Sequence, residues 1–176
     1  LLQDVQWLAE AGVAGVAFGV LDNSGQVDVD RCRRVVEQLG DGQHAVFHRA
    51  FDLLPEKATG LETLIACGVT RVMTSGGEAT AWQGRAVIRE LMNQADGRIE
   101  ILPAGGIRVD HVIDLVRETS VTQVHAGLGE LVNDASYTTS GGVNFYGVLP
   151  SGPDQFRRSS HPLIEEMRRT LDGQTT

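Results

Sequence analysis

The sequence predicts an α/β fold built on a parallel sheet, and three observations carry that reading. Short apolar runs alternate along the chain with segments of helical periodicity, the pattern of consecutive strand–helix units. Each apolar run ends abruptly in polar residues or glycine, as a parallel strand buried on both faces does when it delivers side chains to a site at its C-terminal end. The chain's 176 residues suffice for one domain with a real core. A complete (β/α)8 barrel of about 250 residues spends roughly 31 on each unit, so this chain is worth roughly five to six. Two architectures fit the alternation: a doubly wound open sheet, or a piece of a (β/α)8 barrel. Five strands cannot close an eight-strand barrel.

The elements follow in order. Leu1 to Ala11 has Val5, Leu8 and Ala9 at helical spacing, with Gly12 as the stop. Gly15 to Leu21 is the first strand, exiting at Asp22 into the turn residues Asn23-Ser24-Gly25. Asp28 or Asp30 caps a helix running to about Leu39, with Val35, Val36 and Leu39 inward. The second strand, Ala45 to Phe47, exits into His48 and Arg49, with Asp52 close behind. Pro55 opens a helix carrying Leu61, Leu64 and Ile65 that ends at Gly68. Strand three, Arg71 to Met73, exits into Thr74-Ser75-Gly76-Gly77, and a helix with Ile88, Leu91 and Met92 follows. Strand four, Ile99 to Leu102, exits into Pro103-Ala104-Gly105-Gly106-Ile107-Arg108, before a helix with Val112, Ile113, Leu115 and Val116. Strand five is Gln123 to His125, exiting into Ala126-Gly127. From about 132 to 160 the composition turns to Asn, Ser, Thr, Gly and Pro, which reads as a long irregular loop within a single domain of residues 1–176. His161-Pro162 opens a final helix.

A hydrophobic content of 41% and a charged content of 22% are those of an ordinary globular protein. The formal net charge of −8 argues against a nucleic-acid partner, which requires a basic face. No apolar run approaches a membrane span and no signal-peptide pattern stands at the start, so the expectation is a cytoplasmic protein without a membrane partner. Cys32 and Cys67 form neither a CxxC pair nor a disulfide pattern, and each lies in a helical segment as a small buried hydrophobe.

The strand exits share one edge of a parallel sheet and therefore converge on one mouth. Candidate catalytic residues there are Asp22, His48, Arg49, Asp52, Ser75 and His125. Histidine suits general acid–base work near neutral pH, and Asp22 or Asp52 could orient an imidazole. Gly76, Gly77, Gly105, Gly106 and Gly127 let backbone approach a ligand, and helix N-termini behind them offer N–H groups to an anion, with Arg108 as a charge partner. The same glycines also serve tight turns with no ligand. No HxH or HExxH spacing supports a metal site, so the metal ligands stay unassigned. The one lysine, Lys57, falls in a helix start and not at a strand exit, which argues against Schiff-base chemistry.

Together Gly19-Val20-Leu21-Asp22, Phe47-His48-Arg49-Ala50-Phe51-Asp52, Arg71-Val72-Met73-Thr74-Ser75-Gly76, Ala104-Gly105-Gly106-Ile107-Arg108 and Val124-His125 closely resemble the CutC family. The resemblance covers nearly all of the chain and the later five of the family's eight βα units. It implies a TIM-barrel fold, present here as an incomplete barrel of about five strands. It also implies a cytoplasmic copper homeostasis protein, often a homo-oligomer, with copper as the ligand. Copper binding in the family is associated with cysteines on early strands that this sequence lacks, so Cys32 and Cys67 do not inherit that role. The residues themselves equally suit an enzyme acting on a phosphorylated or otherwise anionic small molecule.

Overall fold

The computed structural model describes residues 1–134 and 155–173, which divide into two compact units, Leu1–Ala126 and Gly127–Thr176. In the first unit, α1 (Leu2–Glu10) leads into β1 (Gly15–Phe18), α2 (Val29–Val36) and β2 (His44–Phe47). A 3-10 turn (Arg49–Leu53) precedes α3 (Lys57–Ala66), β3 (Arg71–Thr74), α4 (Arg85–Ala95), β4 (Glu100–Pro103) and α5 (Val112–Thr119). The four strands pair in parallel in the order β1-β2-β3-β4, with Phe18 opposite Phe47 and Thr74 opposite Pro103. That order never reverses, and each helix from α1 to α5 packs against the next. A doubly wound sheet has a reversal point with helices on both faces, whereas a barrel wall is wound in one sense with a single helical layer. The fold is therefore an open segment of a (β/α)8-type barrel.

The core lies between that sheet and its helices. Phe18 and Phe47 meet edge to face with ring centroids 5.6 Å apart, and Val72 and Ile101 continue the layer from β3 and β4. Leu61 and Leu64 of α3, Ile88 and Leu91 of α4, and Val112 and Leu115 of α5 close over them, all buried. The helix boundaries follow local chemistry. Asp28 caps α2 by accepting from the Arg31 amide at 3.0 Å. α4 and α5 stop where Asp96 and Ser120 turn left-handed, at φ 44° and 61°.

Two expectations need correction. The fifth strand shrinks to a single parallel bridge from His125 to Ala104, with the His125 amide 2.9 Å from the Pro103 carbonyl. Thr122, Gln123 and His125 are exposed there, so the segment gains too little burial to extend the ladder. The reading of 132–160 as irregular fails at both ends. In the second unit β5 (Gly129–Asn133) and β6 (Gln155–Ser159) form an antiparallel pair. Their side chains are largely exposed, so no apolar alternation announces them. Register comes instead from directly opposed partners: Glu130 with Arg158 at 2.8 Å and Asn133 with Gln155 at 2.9 Å. The rest of that segment, 135–154, lies outside the described residues. α6 (His161–Asp172) follows with Pro162 in its first turn, as expected. Among the described residues no helix is long and apolar enough to cross a membrane.

Candidate functional site

The exits of β2 and β3 build one polar cluster, and Asp52 is its centre. The 3-10 turn begins at His48, whose Nδ1 accepts from the Ala50 amide at 3.0 Å. Phe51 is buried beneath the turn, which leaves Arg49 and Asp52 to reach toward β3. The Asp52 carboxylate accepts from the Thr74 hydroxyl at 2.5 Å, the Ser75 amide at 3.0 Å and the Gly77 amide at 3.1 Å. Its other oxygen takes the Arg49 Nε at 2.7 Å and lies 3.0 Å from the Ser75 hydroxyl. The backbone of Gly76 and Gly77, at φ 73° and 79°, thus turns N–H groups onto this protein's own carboxylate. Gly84 completes the turn from below: a Cβ there would stand 1.9 Å from the Ser75 carbonyl oxygen, so only glycine lets α4 start so close to the β3 exit.

Arg49 joins this cluster to the next strand exit. Its Nη2 donates to the Ser75 Oγ at 2.7 Å, and its Nη1 lies 2.7 Å from where a Cβ on Gly105 would stand. The Ser75 hydroxyl has one proton, and both the Glu78 carbonyl at 2.6 Å and Asp52 compete for it. Ser75 is fully buried and has no imidazole as partner, so its geometry is that of a hydrogen-bonding post and not of an activated nucleophile. Burial of Asp52 raises its pKa, but the hydrogen bonds from Thr74, Arg49 and Ser75 outweigh that and hold the carboxyl below its usual value of 3.8. It is an anion at neutral pH.

The other candidates lie apart from this centre. Asp22 folds back on its own turn, accepting from the Ser24 hydroxyl at 2.7 Å and the Ser24 and Gln26 amides, which lower its pKa. The His48 ring fills the space beside Gly19, where a Cβ would fall 2.2 Å from Cε1. Since its Nδ1 accepts, a neutral His48 carries its proton on Nε2. Gly106 is covered by Thr80, and Arg108 turns outward to Asp110 at 3.2 Å. His125 is exposed at its bridge, and Gly127 belongs to the second unit with open space about it.

Lys57 is the residue that sequence reasoning misplaced. Its Nζ lies 2.6 Å from the position of a Cβ on Gly77 and donates to the Leu54 carbonyl at 3.0 Å. The 3-10 turn swings the start of α3 back over the β3 exit, so an ammonium does stand at a strand end. The only signal was its closeness in sequence to Asp52. The cluster therefore offers two cations, one fixed anion and a hydroxyl at the C-terminal edge of the sheet. These are hard donors, suited to orienting polar groups and unsuited to a soft metal. Among the described residues no group of three or more His, Cys, Asp or Glu is arranged to hold a metal ion. A separate cleft of about 220 Å³ lies at the other end of β4, lined by Met92, Ala95, Ile99 and Ile101.

Comparison with known proteins puts this arrangement in context. Residues 1–130 match the profile of the CutC family. A CutC family protein of Treponema denticola is 34% identical over 171 residues, covering 97% of this chain and 68% of that one. One from Histophilus somni is 38% identical over 123 residues, covering 70% of this chain and 50% of its own length. The chain thus spans between half and about two thirds of these relatives. Among solved structures, the CutC protein of Streptococcus agalactiae, provisionally assigned to copper homeostasis, matches with a TM-score of 0.66 at 26% identity. That match covers 70% of this chain and 60% of the other.

Proposed function

The chain belongs to the CutC family, and from that premise we propose that it serves copper homeostasis in the cytoplasm by binding copper as Cu(I). The observation that carries this reading is the likeness in sequence and fold to the Streptococcus agalactiae protein, at a TM-score of 0.66 over 70% of this chain. The strand-end cluster does not supply the ligands, because Asp52, Ser75 and Arg49 offer oxygen and cationic nitrogen where Cu(I) takes thiolate or thioether. The full chain, reduced and kept free of oxygen, is expected to take Cu(I) from a colorimetric chelator with a stoichiometry near one. Native mass spectrometry then shows the copper adduct. A chain that leaves the chelator's colour unchanged overturns the reading.

A second reading has its own observation. Arg49 lies beside Gly105 and Lys57 beside Gly77, both at the C-terminal edge where (β/α)8 enzymes work, and Arg49 is 43% exposed. We propose an enzyme acting on an anionic, phosphorylated small molecule as this alternative. The Ser75 and Gly77 amides are already spent on Asp52, so the anion's charge falls to these two side chains. Titration with inorganic phosphate is expected to give saturable binding that Arg49→Ala weakens by about tenfold. Equal binding by the variant removes this reading.

A further inference from the structure

Lys57 is the one lysine of the chain, and its place at a helix start is the sequence's objection to Schiff-base chemistry. The structure removes that objection. The end of its side chain runs along Gly77, in the turn that leaves β3, and its Nζ donates to the Leu54 carbonyl at 3.0 Å. Gly77 gives its amide to Asp52 Oδ1 at 3.1 Å, and Asp52 Oδ2 takes the Arg49 Nε at 2.7 Å. Lys57 and Arg49 are thus tied to one carboxylate, the first across a glycine and the second directly. Among the described residues no carboxylate pairs with Lys57, whereas Arg49, Arg71, Arg85 and Arg98 each have one. Its helix position adds no compensation, since the first turn is the end of the dipole that disfavours a cation. The other nucleophiles at this edge are committed. Asp52 is surrounded by donors, Ser75 is buried with its proton drawn to the Glu78 carbonyl, and the His48 Nδ1 accepts from the Ala50 amide. Lys57 is left as the group able to bond to carbon.

We propose that Lys57 forms a Schiff base with an aldehyde or ketone that carries a phosphate, and that Arg49 holds the phosphate. The proposal rests on the enzyme reading above and names its substrate class. Arg49 suits the anchoring part, because its guanidinium is partly exposed and its Nη1 stands against Gly105, where no side chain intervenes. Nζ attacks the carbonyl carbon, the carbon–oxygen bonds break, and a carbon–nitrogen double bond takes their place. Two hydrogens from Nζ leave with the carbonyl oxygen as water. Ammonium and carbonyl thus become iminium and water, with charge unchanged and no oxidant or reductant required. Attack of water on the same carbon restores the lysine. A phosphate-bearing carbonyl engages both groups at once, whereas a neutral one engages Lys57 alone.

The test incubates the full chain with dihydroxyacetone phosphate, reduces it with borohydride, and reads the adduct by intact mass and peptide mapping. Dihydroxyacetone is the neutral counterpart. Wild type is expected to carry its adduct on Lys57, half-formed at a concentration at least about tenfold lower for the phosphate ester than for dihydroxyacetone. Lys57→Arg keeps the charge and should give no adduct at position 57. Arg49→Ala should still form the adduct but lose the preference for the phosphate ester. No adduct, an adduct confined to the Leu1 α-amine, or equal trapping of the two compounds by wild type overturns the proposal. Titration with inorganic phosphate keeps the two claims distinct. If phosphate binds through Arg49 and Lys57 is not trapped, the Schiff base falls and the anion site stands; if neither occurs, both fall. Should the variants fail to fold by circular dichroism, competition on wild type decides. Inorganic phosphate that slows trapping of the phosphate ester and leaves that of dihydroxyacetone unchanged upholds the proposal, and equal effects on both overturn it.

Discussion

Asp52→Ala is expected to cost about 3–5 kcal/mol of unfolding free energy, the scale for removing one partner of a buried charge network. The carboxylate's side chain is 9% exposed and ties the 3-10 turn to the β3 exit through the Thr74 hydroxyl, the Ser75 and Gly77 amides and the Arg49 guanidinium. Alanine leaves those donors facing one another with no acceptor. Asp52→Asn keeps one oxygen for the amides but turns an NH2 toward donors, and about 1–3 kcal/mol is expected. Urea unfolding measures both; an alanine variant within about 1 kcal/mol of wild type would show that the loop holds its shape without the carboxylate. The acid limb supplies an independent check. Because folding lowers the Asp52 pKa, its contribution is fully present above the unfolded value near 3.8 and is lost as pH falls through the folded value. Wild-type stability should therefore fall more steeply than that of Asp52→Asn in acid. Parallel acid limbs would contradict this account.

Much of this arrangement was legible in the sequence, and the gaps have physical causes. The alternation of strands and helices sets the wall of the barrel, and the polar exits of β2 and β3 marked the side chains that cluster there. What the pattern could not say is where each side chain aims. The sequence offers Asp52 as a partner for an imidazole, but its distance in sequence from Ser75 hides that the glycine-rich turn spends its amides on it. Periodicity places Lys57 on a helix start and is silent about a stem long enough to reach the next loop. Cys32 and Cys67 look unrelated along the chain; the packing of α2 on α3 brings the Cys67 Sγ to 4.0 Å from the Val29 carbonyl, one turn before Cys32. β5 and β6 were invisible for the opposite reason, since their register rests on polar cross-strand pairs.

The support beneath Asp52 leads to the other large effect. Phe51→Ala is expected to lower stability by about 3–5 kcal/mol, the range for deleting a buried aromatic ring. Phe51 is 0% exposed, and its Cε2 lies 3.6 Å from the position a Cβ on Gly60 would take. Leu54, 1% exposed, approaches the same point to 2.4 Å, so α3 admits these two side chains because residue 60 has none of its own. A 3-10 turn of five residues has little stability by itself, and this one is anchored by that ring while Leu53 beside it is 74% exposed. The alanine cavity should loosen the turn and, with it, the aim of Arg49 and Asp52 on either side. Phe51→Leu keeps most of the volume and should cost under about 1.5 kcal/mol. A cycle of Phe51→Ala with Asp52→Ala separates the two roles. If the ring acts by holding the carboxylate in place, the double variant loses less than the two singles together, by about 1 kcal/mol or more. Additive losses would mean that the ring fills the core and the carboxylate holds its loop independently.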